Sequence, residues 1–182
     1  WKDADVPEYD DSTETVQQVG AGNAIRLTLA SESLERILWI TGGEDLYIGT
    51  SASEWVVSGA TTATQAKASI VSRYGSHPVC ARMVGGSVLF VTPSSRHIRQ
   101  LASEGPPVTQ LAEHIVRAGI VQMDFAQSPD VCLYAVLEDG VLARCLIDPS
   151  SGTMAWDRVV MRDGDEVESV ARARNLRIAA VY

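Results

Sequence analysis

The sequence predicts an all-β chain: a partial β-propeller of three to four antiparallel meander blades, with a short helical insertion. Three observations predict it. Short runs rich in Val, Ile, Leu and aromatic residues alternate with turn signals. Two of those turns are glycine pairs, Gly42-Gly43 and Gly85-Gly86, which supply the positive φ values a tight hairpin needs. The phrase around each pair also recurs. At an offset of 42 residues, Leu46-Tyr47-Ile48 falls on Val88-Leu89-Phe90, Thr50 on Thr92 and Ser53 on Ser95. One meander cannot bury both of its faces, so successive meanders stack and share cores. A β-sandwich built from similar hairpins is the alternative fold.

Residues 1–22 read as an acidic arm or linker. "WKDADVPEYDDSTE" holds six carboxylates against one lysine and has too few apolar residues for a core. Residues 23–182 form the propeller-like domain. There "AIRLTLAS" (24–31) alternates at period two and reads as a half-buried strand. In the first meander, "RILWITGG" (36–43) ends a strand at its glycines, and further strands cover 46–48 and 55–57. "TTATQAKAS" (61–69) is polar and small, a long connection. "PVCARMVGGSVLFVTPSSRHIRQL" (78–101) is the second meander, with His97 in its third strand.

"PPVTQLAEHIVRAG" (106–119) predicts the helix. Thr109 is its N-cap, Leu111, Ile115 and Val116 share a face, and Gly119 is its stop. The third meander, 131–161, turns at Asp139-Gly140 and at "DPSSG" (148–152). A fourth opens at "ESVARARNLRIAAVY" (168–182), turning near Asn175. The chain runs from Trp1 to Tyr182, inside an apolar run, and is expected to be a segment of something longer.

Composition excludes several function classes. A net charge of −8 with only two lysines, Lys2 and Lys67, does not suit a surface that binds nucleic acid by neutralising phosphates. No apolar run reaches the length of a membrane span, and no signal-peptide pattern is present. Cys80, Cys132 and Cys145 are odd in number, widely spaced and flanked by apolar residues. They read as small buried hydrophobes in a reducing compartment rather than as a zinc set.

The candidate sites reduce to structure. "GTSASEW" (49–55) gathers Thr50, Ser51, Ser53 and Glu54 but lacks the second glycine of a nucleophile elbow and has no neighbouring histidine. A similar hydroxyl corner recurs at "VTPSSRH" (91–97), so both read as hairpin corners. His77, His97 and His114 show no metal-ligand spacing. Asp163, Asp165, Glu166 and Glu168 surround Gly164 without the spacing of a calcium loop. "GAGN" (20–23) is followed by no amphipathic helix, so it is not a dinucleotide fingerprint. Trp1, Trp39, Trp55 and Trp156 could stack on sugars, but Trp39 and Trp55 stand among Ile and Val and read as core. No catalytic, cofactor-binding or metal-ligating residue is assigned.

Several phrases, in order, carry a resemblance. They are "ILWITGGEDLYIGTSASEWVVSG" (37–59), "SRYGSHPV" (72–79), "VGGSVLFV" (84–91), "TQLAEHI" (109–115) and "GIVQMDFAQSPDVCLYAVLEDGVLA" (119–143), followed by Trp156. The chain from residue 23 to 182 resembles the large structural tail or neck proteins of short-tailed phages and prophages. These are similar to the nozzle or tail tubular proteins whose β-propeller domains ring the DNA channel. Two positions depart from that pattern: "PPVTQ" replaces an acidic approach to the helix, and Cys145 stands where a hydroxyl is usual.

The resemblance implies a non-enzymatic virion component, made in the bacterial cytoplasm and placed in the tail. It would act through contacts with other tail proteins and with its own copies in a ring, without cofactor or membrane. DNA would pass nearby without sequence-specific binding, and an acidic wall suits that passage because it repels phosphate. The other functional reading is a propeller-type binding module for carbohydrate or peptide, using Trp and Arg at its rim.

Overall fold

The computed structural model describes residues 27–29, 31, 33–59, 66–148, 150–161, 165–172 and 178–181. They form thirteen strands, and every sheet is an antiparallel meander in chain order. The first sheet contains β1 (Ile37–Gly42), β2 (Leu46–Thr50), β3 (Glu54–Ser58) and β4 (Lys67–Ser72). The second has β5 (Arg82–Val84), β6 (Ser87–Val91) and β7 (Ile98–Gln100). The third has β8 (Ile120–Ala126), β9 (Cys132–Leu137), β10 (Leu142–Asp148) and β11 (Thr153–Val159). β12 (Ser169–Arg172) and β13 (Ile178–Val181) make the fourth.

The sheets stack in series rather than as one facing pair. Trp39 of the first sheet packs on Ala81, Val88 and Phe90 at the second. The opposite face of the second, with Val84, Leu89, Val91 and Ile98, packs on Ile120, Met123, Leu133 and Cys145 of the third. Val136 and Leu142 of the third then meet Val167 and Val170 at the fourth. A strand caught between two neighbours is buried on both faces, which is why "SVLFV" of β6 is apolar almost throughout instead of alternating.

One kind of tie joins each sheet to the next. In a meander, the corner between strands two and three lies at the end where the chain leaves for the following sheet. At that corner a carbonyl accepts a backbone N–H from the segment leading into the next sheet. The pairs are Ser76 N to Thr50 O at 2.9 Å, Ile120 N to Ser95 O at 2.7 Å and Val167 N to Gly140 O at 2.8 Å. The acceptors, at positions 50, 95 and 140, are spaced by 45 residues.

First strands are tied as well. Arg82 of β5 pairs with Asp124 of β8 at 3.0 Å. The Gln122 amide of β8 exchanges two hydrogen bonds with the Val170 backbone of β12, at 2.9 and 3.0 Å.

Several expectations change. The helix over 106–119 is replaced by a three-residue 3₁₀ turn, Gln110–Ala112, followed by further turns. Thr109 holds the N-cap position, as expected, but its side chain makes no capping hydrogen bond. Its hydroxyl instead accepts the Ile98 N–H and donates to the Arg96 carbonyl, both at 3.1 Å, while Val108 N donates to Ile98 O at 2.8 Å. The segment thus stands beside β7 where a fourth strand of the second sheet would lie, and that pairing outweighs its helical propensity. Ile115 and Val116 point inward as expected, but Leu111 is 90% exposed and Ala112 takes its place in the core.

The Gly85-Gly86 hairpin has φ of 56° and 84°, as its two-residue turn requires. Gly42-Gly43 does not share this: neither has positive φ, and the turn is the three-residue Gly43–Asp45. The connection read over 61–69 is shorter, because β4 begins at Lys67. β8 had no counterpart in the sequence reading. Of "AIRLTLAS", residues 27–29 form no strand and the others, apart from Ser31, lie outside the described residues, as do the acidic arm, "GAGN" and Asn175.

Candidate functional site

The densest polar cluster among the buried side chains is the corner from β2 to β3. Thr50 closes it, since its backbone N donates to Ser53 O at 2.8 Å and its hydroxyl accepts the Ser53 N–H at 3.0 Å. Trp55 Nε1 donates to Ser53 Oγ at 2.7 Å. The Glu35 carboxylate, just before β1, accepts from the hydroxyls of Ser31, Thr50 and Ser53. Ser51 exchanges hydrogen bonds with the Arg36 backbone at 3.0 and 3.2 Å, fixing the approach to β1.

Glu54 opens β3 and is 0% exposed. Ser72 Oγ donates to its Oε2 at 2.5 Å and Tyr74 N to the same oxygen at 3.4 Å, while Ser76 Oγ donates to Oε1 at 2.9 Å. Residues 72, 74 and 76 are alternate positions of the chain crossing from the first sheet to the second, so one carboxyl group fastens three steps of that crossover. The equivalent corner position carries Ile98 in the second sheet and Leu142 in the third, both buried in intersheet cores. A carboxyl group there is an exception to the repeat, matched by serines that the other sheets lack.

The two acids differ in kind. Burial pushes the Glu54 carboxyl upward, against the hydrogen bonds it receives from Ser72, Ser76 and Tyr74, and the neighbouring Glu35 charge adds to the rise. Burial also works upward on Glu35, but the hydrogen bonds from Ser31, Ser53, Thr50 and Trp55 outweigh it and bring the carboxyl down to about 2. A carboxylate that weakly basic is a poor proton acceptor for Ser53. Glu54 is the better base, but it is sealed from any substrate. The chemistry of the corner is that of a fastening.

The linkage signs are opposite. Glu35, depressed in the folded state, adds stability above its ordinary 4.5, and that stability is lost as pH falls toward about 2. Glu54, raised, adds stability below 4.5 that is lost as pH rises through its folded value. Glu35→Gln is therefore expected to flatten the loss of thermal stability between about pH 4.5 and 2. Melting curves across that range check it, and equal slopes in parent and variant refute it.

The other sequence candidates stand apart. His77 precedes the second sheet, His97 lies one residue before β7 rather than in it, and His114 is exposed on the turn segment. Among the described residues no group of three or more His, Cys, Asp or Glu could hold a metal ion. Asp165, Glu166 and Glu168 are exposed, and Asp163 lies outside the described residues. Cys132 and Cys145 are buried as expected, with burial pushing the Cys145 thiol up to about 12. Cys80, by contrast, is exposed, on the segment before β5.

Trp39 and Trp55 are core residues. Trp156 is half-buried, its Nε1 donating to Val108 O at 3.2 Å; Trp1 lies outside the described residues. Glu35, Ser72 and Ser76 were not among the candidate site residues of the sequence reading, where the two serines enter only within "SRYGSHPV". The alternate spacing of Ser72 and Ser76 was the available signal, but only the fold turns it toward Glu54. Among the described residues no helix is long and apolar enough to cross a membrane. Compared with known protein families and with curated proteins, the chain matches none.

Proposed function

We propose that the chain is a non-enzymatic structural module of a phage or prophage tail or neck. Its sheets act as β-propeller blades, and it works through protein–protein contacts around the DNA channel. The observation that supports this most is the tie repeated at Thr50, Ser95 and Gly140. A corner that hands the chain to the next sheet at a constant 45-residue interval is the behaviour of a blade repeat. First strands that lie side by side, held by Arg82–Asp124 and Gln122–Val170, suit strands gathered around a common axis.

The phage assignment rests on the ordered phrases that resemble tail and neck proteins. The first polar corner suits a structural role, because the hydroxyls of Thr50, Ser72 and Ser76 are engaged within the first sheet and the crossover that leaves it. The carbohydrate-binding alternative has less to stand on, since Trp39 and Trp55 offer no exposed ring face.

Antibodies raised against the chain test the reading on purified phage particles induced from the strain that encodes it. Negative-stain imaging is expected to show label at the tail or neck. Particles without label, with the protein found only in the soluble lysate, overturn the assignment.

A further inference from the structure

The chain enters each new sheet past a corner of the last, and the residue before each tie donor meets that corner closely. A Cβ on Gly75 would stand 2.6 Å from Ser51 O, and one on Gly119 2.8 Å from Ser95 Oγ. At the third joint the glycine has changed sides: a Cβ on Gly140 would stand 2.5 Å from Glu166 Cβ. The three joints share this design and differ in the residue that opens the third strand beside each. It is Glu54 at the first, Ile98 at the second and Leu142 at the third, all buried. Glu138 and Glu166, which stand at the other two joints, are exposed. Only the first of these joints is built around a buried acid.

We propose that the joint between the first and second sheets is a pH-responsive hinge, opened by loss of the Glu54 proton, and that the other two joints lack this response. Ser72 Oγ, Tyr74 N and Ser76 Oγ all donate to the one carboxyl group. These donors are neutral, so none supplies the countercharge that a buried carboxylate needs. Its surroundings supply none either. Glu35, across the corner, is itself an acid and adds repulsion. Arg36 and Arg73 are exposed. Arg99 is engaged with the Tyr74 ring at 3.9 Å and the Gly105 carbonyl at 3.0 Å. Among the described residues neither His77 nor His97 bonds to Glu54.

Burial therefore favours the acid form while the joint is closed. In the opened joint the carboxyl group is in water, with its ordinary value of 4.5. Between that value and the higher folded one, each pH unit makes opening about tenfold easier, and above the folded value the effect levels off. Glu35, held down to about 2, stays ionised throughout and does not compete. The packing of Trp39 on Ala81, Val88 and Phe90 is apolar and indifferent to this charge. The two sheets thus stay in contact while residues 72–76 work loose, and the setting of the first sheet against the second becomes adjustable.

Amide hydrogen exchange on the full 182-residue chain, read residue by residue by NMR from pH 4.5 to about 8, tests this. Each rate is divided into that of an unstructured amide at the same pH. The Ser76 N–H, which donates to Thr50 O, is expected to lose protection by about tenfold or more across the range. The Ile120 and Val167 N–H groups, the donors of the other two joints, are expected to change by less than about threefold. Glu54→Gln has no proton to lose and is expected to hold Ser76 protection level. A level Ser76 in the parent overturns the proposal, and so do three joints that loosen together. A fall that survives Glu54→Gln also overturns it, because the response then belongs to a neighbouring histidine. The three joints of the parent decide the matter by themselves should the glutamine variant not fold.

Discussion

Glu54→Ala is expected to lower the melting temperature by roughly 6–12 °C, whereas Glu54→Gln shifts it by no more than a few degrees. Alanine removes every acceptor offered to Ser72 Oγ, Ser76 Oγ and Tyr74 N and leaves a void at a position that is 0% exposed. The hydroxyls can rotate toward other partners, but the Tyr74 N–H is fixed by the backbone. Stranded donors and the void together cost about 3 kcal/mol, and each kcal/mol is worth about 2–4 °C in a domain of this size. Glutamine resembles the protonated acid that burial favours at this site. Its oxygen can take the Ser72 and Tyr74 donors while its amide donates to Ser76. Calorimetry on both variants checks the pair of outcomes. An alanine variant within a degree of the parent would mean that the carboxyl group fastens nothing.

The second large effect is expected from Gly49→Ala. Gly49 faces Trp39 across the β1–β2 pair, and a Cβ at this position would stand 2.0–2.4 Å from three atoms of the indole. The ring has little room to retreat. It is buried between the sheets with Ala81 and Val88, and its centroid is 6.0 Å from that of Phe90. Forcing it aside costs about 2–3 kcal/mol, or roughly 4–12 °C. The cause is separable from any general intolerance of alanine in a strand. With Trp39→Leu in the background the obstruction is gone, so the double variant is expected to lose less than the sum of the single losses, and melting data on all four proteins measure that coupling. Strictly additive losses would locate the strain elsewhere.

Much of the strand pattern was legible because it depends on local chemistry. Gly85-Gly86 reads as a two-residue turn from its residues alone, and the apolar run of β6 and the Asp139-Gly140 corner read just as directly. The 42-residue offset between phrases foreshadowed the 45-residue spacing of the intersheet ties, the second corner being the longer one. What escaped was decided by neighbours distant in sequence. Residues 106–119 carry a helical pattern, but Thr109 and Val108 are claimed by β7. Lys67-Ala68-Ser69 looks like linker because its strand character comes from pairing with β3. Gly43 was read for its φ, yet its use is the close approach of Met83.

The candidate site was the least legible part. Glu54 was visible as the one carboxylate of a hydroxyl-rich corner, but nothing in "GTSASEW" announces complete burial. Its donors arrive from residues 72–76, and Glu35 comes from the other side of β1. The serines that looked like potential nucleophiles are the partners that make two carboxylates tolerable.

Among the described residues, the ties run from one sheet to the adjacent one, so cohesion in this molecule is a nearest-neighbour property: each sheet is as firm as the neighbours that grip it, and a loosened sheet passes its slack first to those beside it.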